Sequence, residues 1–170
     1  MNEYFGDITK RSEKLIRICG TRDPFVIAKA LGISVIYADG LKRLKGMYRV
    51  IKRNRFIILN SGNTETMNAV VCAHELGHDQ LHREYAKNSP IQEFMLYDMA
   101  SRREYEANIF ASELLLDDKE ILEYVWQGYD SLQIAKATET DINLVALKVD
   151  SLIRKGYTLT PQEHNSKFLK

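Results

Sequence analysis

Disulfide bonds cannot organise this chain. Its 170 residues include two cysteines, Cys19 and Cys72, which lie far apart and form no C-x-x-C pair. A disulfide scaffold is thereby excluded, and Cys72 is expected as a reduced, buried thiol. An excess of charge of either sign is also missing. Lys and Arg number 24 against 23 Asp and Glu, a formal net charge of +1. The whole molecule therefore has no electrostatic bias toward nucleic acid or a membrane surface. No apolar run is long enough to span a bilayer. Met1 to Lys10 carries acidic residues and no apolar signal-peptide core, so a cytoplasmic location is expected. There are no internal repeats and no low-complexity segments. What is present is an ordinary globular composition, 45% hydrophobic and 28% charged, in a length that suits one domain with a real core.

Histidine is scarce too, and two of the four sit in one motif. Val70 to His78 reads V-V-C-A-H-E-L-G-H, an H-E-x-x-H inside an amphipathic run from about Thr64 to His82. On a helix, residues four apart lie nearly above each other, so His74 and His78 can share one metal ion. Glu75 is rotated by one residue and can reach a water at that metal without being a ligand. Two imidazoles, a third ligand elsewhere and an open position for water make the arrangement a zinc hydrolase needs.

The remaining elements can be read from caps and periodicity. Ile8 to Ile18 forms an amphipathic helix ended by Gly20. Asp23-Pro24 caps and starts a second, Phe25 to Leu31. Strands are expected at Ile33 to Tyr37, Gly46 to Ile51 and Phe56 to Leu59, the last two joined by a turn over residues 52–55 in which Asn54 tolerates a positive φ. Residues 27–33 resemble the first half of a helix-turn-helix, but a strand follows instead of a recognition helix. From Lys42 to Arg55 there are seven basic residues and no acidic one, a solvated face or a rim that attracts an acidic partner. Residues 84–100 read as a connector that could cover the cleft. Helices then follow from Ser101 to about Leu116, Lys119 to Gln127, Ser131 to Ala137 and Ile142 to Lys155, with a polar tail from Thr160.

A third ligand is sought on the Ser101 helix. Glu104, Ala107, Asn108, Ala111, Leu114 and Leu115 share one stripe. A carboxylate on an apolar stripe is costly to bury unless it is paired or coordinates metal. Glu104 is thus the expected third ligand, with a salt bridge to a nearby Arg as the competing role. Glu106 falls on the outer face with Arg102 and Glu113, where it makes a weak surface pair with Arg102. Asn108 and His82 are candidates to support the ligands. His82, Tyr48, Tyr85 and Tyr97 are candidates to donate to a developing oxyanion. Eight residues of helix, ~12 Å, separate His82 from His74, too far for one shared ion. Gly77 costs ~1 kcal/mol in a helix relative to Ala, which close approach of another element would explain.

H-E-L-G-H-x-x-L-H followed by E-Y-E-A-N-I-F-A-S-E-L-L-L resembles the ImmA/IrrE family of metallo-endopeptidases. Gly46-Met47-Tyr48 and the run Phe56 to Asn60 resemble that family's hairpin, and the likeness extends from about Asp23 to Asp117. The resemblance implies an α+β fold: a small three-stranded sheet on a zincin-like pair of metal-bearing helices, with residues 1–128 as the peptidase core and 129–170 as a helical extension of the same domain. It implies zinc held by His74, His78 and Glu104, and Glu75 as the catalytic residue. It also implies a protein substrate, a helix-turn-helix repressor of a prophage or integrative element, with no direct contact to nucleic acid or membrane. Family members often end the second motif with Pro; here Leu116-Asp117 stands instead. The alternative is a non-catalytic zinc-containing regulator that binds DNA through the helices of residues 131–155. Against it, the basic residues there are balanced by acidic ones, whereas a DNA-reading module should be clearly basic.

Overall fold

The computed structural model describes residues 2–42, 44–88 and 101–160. Most helices begin at a side-chain cap that the sequence supplies. Asp23 accepts from the backbone N–H groups of Phe25 and Val26 and opens α2 (Pro24–Ala30) after α1 (Asn2–Cys19). Ser101 opens α4 (Arg102–Leu115), Asp117 opens α5 (Asp118–Trp126), Asp130 with Gln133 forms a capping box for α6 (Ser131–Ala137), and Asp141 opens α7 (Ile142–Arg154). The first helix is longer than the expected Ile8 to Ile18, and its added turns carry Phe5, which packs on the core and against Tyr105.

Three strands, β1 (Ile33–Ala38), β2 (Gly46–Ile51) and β3 (Asn54–Asn60), form a sheet in the order β1-β3-β2. β1 runs parallel to β3 and β2 antiparallel to it. The hairpin between β2 and β3 is tighter than the sequence suggests. Asn54 is already in β3, and the two turn residues with positive φ are Lys52 (49°) and Arg53 (72°). Left-handed geometry at both positions is the type I′ pattern that matches strand twist, here carried by two cations at ~1–2 kcal/mol each instead of by Asn-Gly.

α3 (Glu65–Asn88) continues past the expected end at His82, and Glu84 to Asn88 belong to it rather than to a connector. His82 itself departs from helical geometry, with φ −128° and ψ 17°, and marks a kink. The proposed cover, at residues 89–100, lies outside the described residues, as does Tyr97.

α4 is the central helix. It packs on α3 along one side and on α1 and α7 along the other, so Ala107, Ile109, Phe110, Ala111 and Leu114 are all buried. This enclosure corrects the placing of Glu106 and Glu113 on an outer face: they are 4% and 3% exposed. A two-sided helix has no outer face for its carboxylates, so each must find a buried cation or donor. Glu113 finds Lys148 at 2.9 Å, and that lysine is itself 1% exposed. Where a Pro would stop the helix, Arg22 does the work. Its Nη1 donates to the carbonyls of Glu113, Leu114 and Leu116, and its Nη2 to Asp117 at 2.7 Å.

Two glycines let other elements reach α3. A Cβ on Gly46 would lie 2.5 Å from Val71 Cγ1, and one on Gly77 would lie 2.9 Å from Ala107 Cα. The first brings β2 against the helix and the second brings α4 against it. Among the described residues, no helix is long and apolar enough to cross a membrane.

Candidate metal centre

Close approach at Gly77 sets the site. Ala107 packs on the turn between His74 and His78, so Glu104, one turn before it on α4, is carried to both imidazoles. His74 Nε2 lies 3.2 Å from one Glu104 oxygen, and His78 Nε2 lies 3.4 Å from the other. The two Nε2 atoms are 3.1 Å apart. All three side chains are buried, and one ligand atom from each lies within 4.8 Å of the others. A tetrahedral centre with bonds of 2.0–2.1 Å holds its ligand atoms about 3.3–3.4 Å apart. Each imidazole thus stands at about that spacing from one of the two Glu104 oxygens, and two imidazoles with a carboxylate are a donor set that suits a divalent metal such as zinc. The residues therefore fit a metal, which His74, His78 and Glu104 would hold.

The outer nitrogens of both imidazoles are engaged. His74 Nδ1 faces Asn108 Oδ1 at 2.8 Å, and an amide oxygen only accepts, so Nδ1 carries a proton and Nε2 is the nitrogen left to face a metal. His78 Nδ1 faces His82 Nδ1 at 3.2 Å, and His82 Nε2 faces Glu106 Oε2 at 2.8 Å. Glu106 only accepts, so His82 carries its proton on Nε2 and offers its Nδ1 lone pair to the N–H of His78. Arg102 Nε donates to the other Glu106 oxygen at 2.6 Å. A chain Arg102–Glu106–His82–His78 thus fixes the tautomer of one imidazole, and Asn108 fixes the other.

Electrostatics follow from burial and pairing. Burial lowers the His78 pKa to about 4, and it also lowers His82, only partly opposed by Glu106. Burial works against charging His74 as well, but the hydrogen bond to Glu104 and the nearby carboxylates outweigh it and raise its pKa. Burial likewise favours the neutral form of Glu104, yet its bonds to both histidines hold it well below the usual carboxylate range. A proton drawn onto His74 by Glu104 is what a metal cation would replace, so metal binding should release protons.

Glu75 stands beside this cluster and takes no part in its hydrogen bonds. It is 1% exposed, and its Oε1 is buried with no hydrogen-bond partner. Burial pushes its pKa up to about 8, resisted by a backbone N–H bond from Tyr48. An orphaned carboxylate oxygen costs free energy, which a water or substrate proton at that point would recover. Among the described residues, Glu75 is the one acid with this combination of burial, raised pKa and an unpartnered oxygen next to the His-His-Glu cluster.

The Tyr48 hydroxyl, one of four candidate donors to an oxyanion, is engaged elsewhere. It donates to Asp79 at 2.6 Å, and burial together with that bond raises its pKa. What Tyr48 brings to the site is its backbone N–H on Glu75. Asp79 is fully buried and also holds Arg55, 3.1 Å away, and Arg83, 2.8 Å away. Arg55 reaches on to the Leu31 carbonyl. This knot ties β2, β3, α2 and α3 together directly behind His78. Asp79, Arg55, Arg83 and the buried Glu106 are absent from the sequence-derived set. Asp79 four residues from Glu75 and from Arg83 was the available sign, but i,i+4 charges are common on exposed helix faces.

Comparison with known proteins bears on this geometry. Residues 28–149 match the model of a peptidase family described as the IrrE N-terminal-like domain. The chain is 36% identical over 112 residues to "Uncharacterized immunity region protein 2" of Bacillus phage phi105, covering 66% of this chain and 70% of that protein. It is 28% identical over 131 residues to "Metallopeptidase ImmA" of Bacillus subtilis (strain 168), covering 75% of each.

Proposed function

From the premise that the chain belongs to the IrrE N-terminal-like peptidase family, we propose that it is a zinc-dependent endopeptidase that cuts a helix-turn-helix repressor and so relieves repression. His74, His78 and Glu104 hold the metal, and Glu75 is the general base. The observation that carries this reading is the convergence of those three donors within 4.8 Å beside a buried carboxylate with an unpartnered oxygen. When bound, the metal supplies Lewis acidity, which acidifies a water and polarises a carbonyl.

The chain's own residues do the rest. Glu75, poised near neutrality by burial, takes a proton from the attacking water and returns it to the leaving amine. The Tyr48 N–H keeps the Glu75 carboxylate in place through that cycle. Asn108 and His82 keep the two imidazoles in the tautomers that face the metal. The phage relative's "immunity region" name supports a substrate in the control of a mobile element, and the printed name of the second relative supports peptidase activity. The DNA-binding alternative gains nothing from α6 and α7. Nine residues of α7 are buried in the packing, so it is not presented as a reading helix.

The test is to measure bound zinc on the purified chain and to incubate it with a repressor encoded beside it. The expected result is cleavage at one place, abolished by a chelator that leaves the circular dichroism of the fold intact. Full metal occupancy with no cleavage of that repressor would remove the substrate assignment. Collapse of the fold on chelation would make the metal structural.

A further inference from the structure

The cations at the tip of the hairpin have no part in the peptide-bond chemistry. β2 is an outer strand, and its register with β3 is marked by the bond from the Asn60 N–H to the Lys45 carbonyl. Lys45, Met47, Arg49 and Ile51 therefore face β3, and alternation turns the N–H and C=O of Gly46, Tyr48 and Val50 to the free edge. From that edge the Tyr48 N–H reaches Glu75. At Val50 the edge meets a cavity of about 560 Å³ lined by Val50, Lys52, Arg53, Arg55 and Arg83.

Among the described residues, no carboxylate lines that cavity. Asp79, behind it and fully buried, neutralises one charge between Arg55 and Arg83, which leaves a surplus of three positive charges. The buried Nε of Arg83 has no hydrogen-bond partner. Lys52 and Arg53 occupy positive-φ positions that a hairpin normally gives to Asn and Gly. Neither the turn nor the core calls for long cations at those positions.

We propose that this cavity receives acidic side chains of the protein substrate, so that the enzyme prefers substrates with Asp or Glu two to four residues from the cut bond. The inference rests on the peptidase reading above. A strand advances ~3.3 Å per residue, which puts Val50 ~6.6 Å and the turn ~13 Å beyond Tyr48. A peptide lying along the β2 edge with its reacting bond at Glu75 brings its second to fourth neighbours to the cations. An acidic peptide suits the site better than nucleic acid does. A surplus of positive charge stands in a cavity continuous with the strand edge, in a chain whose net charge is +1.

The experiment compares fluorescein-labelled hexaglutamate and hexaglutamine peptides, and a short DNA duplex, by anisotropy on the full chain and on Lys52→Glu/Arg53→Glu. Both substitutions fall at an exposed turn, so folding is preserved. Hexaglutamate should bind at least roughly ten-fold more tightly than hexaglutamine, weaken with salt, and lose roughly ten-fold in the double variant. Equal binding of the two peptides, no loss in the variant, or tighter binding of DNA through the same two residues would overturn the proposal. Cleavage of a mixed peptide library separates the two readings. Cutting with no enrichment of Asp or Glu two to four residues from the cut refutes the acidic preference and leaves the peptidase intact. Acid-selective binding by a metal-loaded protein that cuts nothing counts against the peptidase and leaves the anion site standing.

Discussion

Replacing Glu106 by Ala distinguishes a buried relay from a surface ion pair. Were Glu106 merely paired with Arg102 on an exposed face, the loss would be about 0.3–0.5 kcal/mol, and metal affinity would not change. The structure puts it instead at the end of the chain that sets His78. With the carboxylate gone, nothing holds the His82 proton on Nε2. Once His82 takes the other tautomer, its Nδ1–H faces the Nδ1–H of His78 across 3.2 Å. His78 must then turn away or move its own proton to Nε2, the atom that faces Glu104 and His74. Supporting bonds of this kind are worth roughly 10- to 100-fold in metal affinity, or about 1.4–2.8 kcal/mol. The assay is competitive titration of zinc against a chromogenic chelator at neutral pH. Glu106→Ala should bind zinc 10- to 100-fold more weakly, Glu106→Gln should lie between it and the parent because it keeps an acceptor oxygen, and Arg102→Ala, whose side chain is 73% exposed, should change affinity less than about three-fold. A Glu106→Ala affinity within about three-fold of the parent would refute the relay.

Glu75→Gln should retain zinc, because Glu75 lies outside the ligand cluster, and should lose on the order of 10²- to 10⁴-fold in cleavage rate; metal analysis with a single-turnover assay reads both. Gly77→Ala gives a test of sign. Helix propensity alone would stabilise by ~1 kcal/mol, whereas the clash with Ala107 should destabilise by about 1–3 kcal/mol and weaken zinc binding, as read by urea unfolding and chelator competition. Lys148→Ala strands buried Glu113 and should cost about 3 kcal/mol in the same unfolding assay, the low end of the range because Lys155 stays 3.4 Å away; Lys148→Met with Glu113→Leu should recover most of it. Burial raises the Asp118 pKa, but bonds and charge from Lys148 and Lys155 outweigh it and leave it lowered. A depressed folded pKa stabilises above the unfolded value of about 3.9 and the gain disappears as pH falls through the folded value, so the stability gap between parent and Asp118→Asn should be present at neutral pH and close below about pH 4.

The fold was legible wherever one local rule decided it. Asp23-Pro24, Ser101 and Asp117 are caps whose chemistry needs no tertiary context, and those helices begin at or within a residue of where the caps put them. The alternation in residues 46–51 gave β2 its bounds because one face packs on α3. The hairpin turn was misplaced because sequence preference favours Asn at positive φ, and here strand register overrode it and put Lys52 and Arg53 there. The long α1 and the continuation of α3 were missed for a common reason. Their extra turns are mostly polar, with Phe5 of α1's first turns packing on the core, and periodicity gives little signal where no apolar stripe repeats.

The site divides along the same line. H-E-x-x-H is a property of one helix, so His74, Glu75 and His78 could be placed from spacing, and the wheel of α4 put Glu104 on the side that meets them. What a single wheel cannot show is that α4 is covered on both sides. It assigned Glu106 to solvent because the opposite of a buried stripe is usually exposed, and that inference holds only for a helix with one neighbour. With α3 on one flank and α1 and α7 on the other, the carboxylates at 104, 106 and 113 are all buried, and each meets a different partner: two imidazoles, His82 with Arg102, and Lys148. The kink at His82 belongs to the same arrangement. His82 leaves helical geometry at the point where its ring must accept from His78 on one nitrogen and donate to Glu106 with the other. In a regular helix, side chains four apart stack in parallel without that choice of angle. The departure at His82 coincides with its contact to Glu106 of α4, a partner that nothing within the α3 sequence announces.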